Sequence, residues 1–214
     1  MTSFAKAPPS QDSAPRRADA KRVLWAVLGA VVIWVFVSNE VALLVDYSLY
    51  HGYRLQMILD RWLLIPHAAF GTFALLAGPI QFSSRLRQRH LHLHRLLGRS
   101  YVLAVYGAAC TAFAISWQRP LFPGTATQGG TWIIVTTLAW VLASKGHVAI
   151  HRQWMARSYA VTFTFVSLRV LSLWPAYWNL SDAANVAVIM GTTLASILVA
   201  DVVMNWPALA SRRA

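Results

Sequence analysis

Three ionisable residues, Glu40, His67 and Arg169, stand within stretches that are otherwise apolar. An ionisable side chain inside a hydrocarbon layer is costly unless it is paired or hydrated, and it marks a functional-site candidate. Two chemistries fit this set. Glu40 and Arg169 can form an ion pair, with His67 as a hydrogen-bonding neighbour, that ties helices together. Alternatively the three line an outward-facing polar cavity for a proton, a quinone head group or a small anion. Arg can fork onto a carboxylate or carbonyl, and His exchanges protons near neutral pH.

A second group is made of His90, His92, His94, His147 and His151, set among Arg95, Arg99, Arg152 and Arg157. His90 with His94, and His147 with His151, are each four apart, so either pair can share a helix face and is compatible with zinc or copper. A single haem b would need one His from each of two facing helices, and His94 with His151 is the natural choice. The surrounding arginines disfavour a bound cation, and the plainer reading is that this rim anchors the chain against lipid. Cys110 is the only cysteine, which excludes an intrachain disulfide; it and Met190 read as packing residues near the depth of His67. No phosphate-cradling Gly-rich loop, Gly-x-Ser-x-Gly or Cys-x-x-Cys occurs, nor any evident water-exposed carboxylate pair. The expectation is a binding protein rather than an enzyme.

These residues must be positioned by membrane helices. The 214 residues are 57% hydrophobic and 12% charged, with a mean hydropathy of +0.48, whereas soluble domains carry about a quarter charged residues. A span needs roughly 20 apolar residues, and six segments qualify: about 23–45, 62–82, 98–117, 131–150, 158–177 and 183–206. The expected architecture is an all-α, polytopic bundle of six transmembrane helices over 22–207, with a disordered tail at 1–21 and a short one at 208–214. The stretch 47–61 mixes apolar, aromatic and charged residues and suits a short amphipathic surface helix, while 124–130 reads as a flexible outer turn. Pro66, Pro79 and Pro175 are expected near helix ends.

Charge orients the bundle. Placing both termini in the cytoplasm puts fifteen of the nineteen Lys and Arg residues inside, and only Arg54, Arg61 and Arg119 outside. The net charge of +12 thus expresses topology and attraction to anionic lipid head groups, not a nucleic-acid footprint. Trp62, Trp117, Trp132, Trp174 and Trp178 fall near the outer interface and Trp25, Trp154 and Trp206 near the inner one, as an aromatic belt. In this frame Glu40, His67 and Arg169 each lie ~8–9 Å below the outer interface at about 1.5 Å per residue. Asp201, one turn from the inner end, can share a face with Asn205.

The chain also echoes itself. His94-Arg95-Leu96-Leu97-Gly98-Arg99-Ser100-Tyr101 and His151-Arg152-Gln153-Trp154-Met155-Ala156-Arg157-Ser158-Tyr159 each run from His-Arg through an apolar step to Arg-Ser-Tyr. This suggests two related helical hairpins in the same orientation. With His67, Gly71, Gly78-Pro79-Ile80-Gln81-Phe82 and Leu168-Arg169, these elements make the chain resemble the bacterial membrane-protein family called domain of unknown function 2306, over about half its length. The resemblance implies a multi-pass protein of the bacterial plasma (inner) membrane and supplies no activity. His-Arg-x-x-Gly is also similar to an element of ferric-reductase-like and cytochrome b proteins, which keeps a b-type haem or quinone redox protein as the alternative. Oligomeric state, ligand and metal are not indicated.

Overall fold

The computed structural model describes residues 54–211, together with helical residues at 23, 26, 27, 29–34 and 37. The tail 1–21, Glu40 and residues 47–53 lie outside the described residues. Every regular element among those described is helical: α1 (Arg54–Gln81), α2 (Ser84–Arg89), α3 (Leu91–Ser116), α4 (Phe122–Ser144), α5 (Val148–Leu171), a 3₁₀ turn (Pro175–Asn179) and α6 (Asp182–Ser211). Three segments are long and apolar enough to cross a membrane by length and composition: Trp62–Gln81, Leu91–Ser116 and Asp182–Trp206.

The helices α1, α3, α4 and α5 close into a four-helix bundle, and α6 packs against α4 and α5. Small side chains set its spacing. Ala74 and Ala77 of α1 meet Tyr101, Ala104 and Val105 of α3 in one buried cluster. Lipid gives no hydrophobic drive for helices to associate, so close approach at small residues and interhelical hydrogen bonds must hold them. Glycines take rings at three such contacts: Tyr159 lies on Gly78, Phe70 on Gly107, and Phe113 on Gly129. On the opposite flank Val31 and Val32 pack with Leu75 and Val166. The outer surfaces expose large apolar residues, among them Leu103, Ile134, Leu198 and Val203, a surface suited to lipid and not to water.

Several boundaries differ from the sequence reading. Residues 54–61 are not a separate surface helix but the first turns of α1, and Pro66 lies in the interior of that helix. The segment 124–130 is not a flexible turn: α4 starts at Phe122, with Pro123 in its first turn, where a missing backbone donor costs little. Gly124 and Gly129 are there because Ile189 and Phe113 pack onto them. Helix α4 ends at Ser144 rather than 150 because Gly146, at φ +79°, reverses the chain. His147 N–H donates to the Leu142 carbonyl and Gly146 N–H to that of Ala143, the paired bonds of a Schellman cap. Helix α5 begins at Val148, which makes His151 and Arg152 helical, and ends at Leu171, so Pro175 opens the 3₁₀ turn. Helix α3 starts at Leu91, so His92 and His94 are helical and His90 immediately precedes the helix.

Candidate functional site

Helices α4 and α5 turn polar side chains into the bundle interior, with Thr136, Ser158, Thr162 and Thr164 all buried. Tyr101 of α3 is fully buried, and its hydroxyl lies 2.9 Å from Ser158 Oγ and 2.7 Å from Thr162 Oγ1, one turn apart on α5. Ser158 Oγ is 2.7 Å from Thr136 Oγ1 on α4, and Trp132 donates its indole N–H to Thr162 Oγ1 at 3.0 Å. Buried hydroxyls need partners, and here four of them satisfy one another across three helices. Trp132 is therefore a core residue, half-buried against the α1–α3 cluster, and not part of an outer aromatic belt. Trp62, Trp117, Trp174, Trp178 and Trp206 are exposed.

Beside this chain lies a cavity of about 150 Å³ bounded by α1, α3, α4 and α5. His67 and Arg169, from α1 and α5, both line it, with Gln128, Thr162 and Thr164. His67 donates from Nδ1 to the Ala108 carbonyl at 2.9 Å, which leaves Nε2 as the acceptor of the neutral ring. The Arg169 guanidinium carbon sits 4.8 Å from the Phe165 ring centroid. Its Nε is buried with no hydrogen-bond partner among the described residues. Gln128 donates to Thr164 Oγ1. The site thus combines a held imidazole, an amide and a half-buried cation with apolar lining residues. Cys110 is exposed and does not line it.

A second cavity, of about 290 Å³, lies at the end of the bundle that carries the Gly146 turn. It receives His94, Arg95 and Arg99 from α3 and His151 and Arg152 from α5, so both halves of the sequence echo face one space. Arg87 joins them from α2, and Gln81 from α1. His151 donates from Nδ1 to the Ala139 carbonyl at 2.8 Å, whereas His94 Nδ1 is buried with no partner among the described residues. Gln81 donates to the His94 backbone carbonyl at 3.0 Å, fixing the end of α1 to the first turn of α3. No group of three or more potential metal ligands occurs among the described residues. His90, His92 and His147 do not line this cavity.

Arg157 stands apart from it. Its Nε lies 2.8 Å from Asp201 Oδ1, an ion pair between α5 and α6, while Asn205 donates to the Asp201 backbone carbonyl at 2.8 Å. At the other end Arg119 pairs with Asp60 at 2.6 Å. Sequence reading did not single out the hydroxyl chain, whose one local signal is the i, i+4 spacing of Ser158 and Thr162.

A helical bundle with an apolar outer surface and polar groups turned inward defines an integral-membrane class of protein. The chain belongs to the family described as "Predicted membrane protein (DUF2306)", whose family model matches residues 64–204. No curated protein and no solved structure matches the chain.

Proposed function

We propose that this is a six-span protein of the bacterial inner membrane, with both termini cytoplasmic, that binds a small polar ligand in the His67–Arg169 cavity. What supports the binding site is that His67 and Arg169, far apart in sequence, line one cavity. Supporting the topology are the charge asymmetry of the loops and the inward-turned hydroxyls of α4 and α5, two helices of 23 and 24 residues that are long enough to span a bilayer. The Arg169 side chain is half-buried, with its Nε lacking a partner among the described residues, and favours a counter-charge. Glu40 is the internal candidate and a carboxylate or carbonyl ligand the external one. At about 150 Å³ the space suits a small anion or a few waters, well under the ~300 Å³ and above of drug-sized pockets. The cycle Glu40→Gln, Arg169→Gln and the double variant, read by thermal melting in detergent, tests the occupant. Strictly additive losses exclude the internal pair and leave the ligand; a double loss smaller than the sum assigns the cavity to the Glu40–Arg169 pair and overturns the ligand reading. A reporter fused after Arg213 should be active only in its cytoplasmic form.

The redox alternative draws support from His94 and His151 lining one cavity. His151 is held through Nδ1 as a ligating imidazole usually is; His94 is not. A reduced-minus-oxidised visible spectrum of protein expressed with haem supplied decides it, absence of a Soret band excluding it.

A further inference from the structure

Among the described residues, the arginines around the second cavity have no carboxylate partner. Between Asp60 and Asp182 the chain contains no Asp or Glu at all, although that stretch holds α2, α3, α4 and α5. Of the two acids that follow, Asp201 is engaged by Arg157. The cavity is lined by the guanidinium-bearing Arg87, Arg95, Arg99 and Arg152 and by His94 and His151. Arg87 spends one donor on the Phe82 carbonyl at 3.3 Å, and His94 Nδ1 is buried with none of its bonding satisfied among the described residues. Arg95, Arg99 and Arg152 are exposed and Arg87 is half-buried, so water screens part of their mutual repulsion, and a bound anion would relieve the rest. The lining also includes the apolar side chains of Val102, Trp140 and Met155.

We propose that this cavity is a binding site for a phosphate group, borne by an amphiphile whose apolar portion lies against Val102, Trp140 and Met155. Arg99 and Arg152, brought in from the two equivalent halves of the echo, supply the fork that matches phosphate oxygens. His94 Nδ1 supplies a further donor. Phosphate fits better than a carboxylate, because its three or more acceptor oxygens can engage donors arriving from α2, α3 and α5 at once. The site is independent of the occupant of the His67–Arg169 cavity, with which it shares no lining residue.

The test uses the full chain, delipidated in a non-ionic detergent and phosphate-free buffer, with calorimetric titration of dihexanoyl phosphatidylglycerol and, separately, inorganic phosphate. Saturable binding of the lipid is expected, weakened about tenfold by the double variant Arg99→Gln/Arg152→Gln, since charge-assisted forks are the strong contacts. Arg85→Gln/Arg89→Gln removes the same charge from the same end at residues that do not line the cavity, and should leave affinity within about twofold. Binding of the lipid alone identifies an amphiphile; inorganic phosphate binding equally well, with the same sensitivity to Arg99 and Arg152, retains the phosphate site but overturns the amphiphile. No saturable binding of either probe, or equal weakening by the two double variants, overturns the site. Melting curves of both variants without ligand check that each is folded.

Discussion

The Tyr159 hydroxyl donates to the carbonyl oxygen of Leu75 across 3.2 Å, from α5 to the last turns of α1. That carbonyl is free because its intrahelical donor would be the N–H of residue 79, and residue 79 is proline. The Tyr159 ring lies directly on Gly78 and meets Phe82 edge to face at 5.6 Å. The Gly-Pro-x-Gln-Phe run of α1 is thus a socket: Gly makes room, Pro exposes an acceptor, Phe closes the rim, and Gln81 secures α3.

Tyr159→Phe should lower stability by about 1–2 kcal/mol, because it orphans a buried acceptor. In a Pro79→Ala background the helix regains its own donor for Leu75, and the same change should cost less. The cycle can be read by thermal or SDS unfolding in detergent; equal costs in the two backgrounds would refute the link between Pro79 and Tyr159. Gly78→Ala should be worse than Tyr159→Phe, since its methyl would overlap the ring.

Tyr101→Phe removes one hydroxyl from the chain Thr162–Tyr101–Ser158–Thr136. Ser158 keeps Thr136 and Thr162 keeps Trp132, so the loss should stay near the ~0.6–1.7 kcal/mol measured for interhelical bonds in membranes. Tyr101→Ala also empties a fully buried ring site and should cost about 3–5 kcal/mol. Unfolding in detergent distinguishes the two, and near-equal losses would show that the hydroxyl, not the packing, carries the residue.

The Arg157–Asp201 pair retains solvent access, with side-chain exposures of 19% and 35%. Its coupling energy should therefore be modest, about 0.2–1 kcal/mol in a double-mutant cycle with Arg157→Gln and Asp201→Asn. It should also shrink as salt is raised. A coupling that is insensitive to salt would contradict this exposure.

Gly146→Ala should cost about 1 kcal/mol, because a Cβ at φ +79° is strained although nothing lies within 4 Å of it. Gly146→Asn should cost less, since Asn tolerates the left-handed region. Equal losses in a thermal melt would point to lost contacts rather than backbone strain.

How much of this was legible in the sequence depends on the residue. Apolar runs announced the cores of α1, α3, α4, α5 and α6, and of these α1, α3 and α6 contain segments long and apolar enough to cross a membrane. The start of α4 was not legible: Gly124, Thr125, Gln128 and Gly129 have the composition of a turn, and it is tertiary contact, with Ile189 on Gly124, Phe113 on Gly129 and the Gln128–Thr164 bond, that favours the helix. His67 and Arg169 could be paired by counting depth along their helices. Tyr101 and Tyr159 stood out as members of the echo, yet nothing in the echo tells that each crosses to the other hairpin. That depends on how α1, α3 and α5 are juxtaposed, which one-dimensional periodicity does not encode.

The inward-facing hydroxyls of α4 and α5 have a consequence for how the protein is made. Each helix alone would present Thr, Ser or Gln side chains to lipid, and each gains an apolar exterior only by meeting the other across Thr136 and Ser158. The tight Gly146 turn delivers them as a hairpin, and Tyr101 already waits on α3 to close their hydroxyl chain. A nascent chain released between α4 and α5 would leave the Thr136 hydroxyl and the Gln128 amide without their α5 partners, whereas one released after α5 carries Ser158 and Thr164 to meet them.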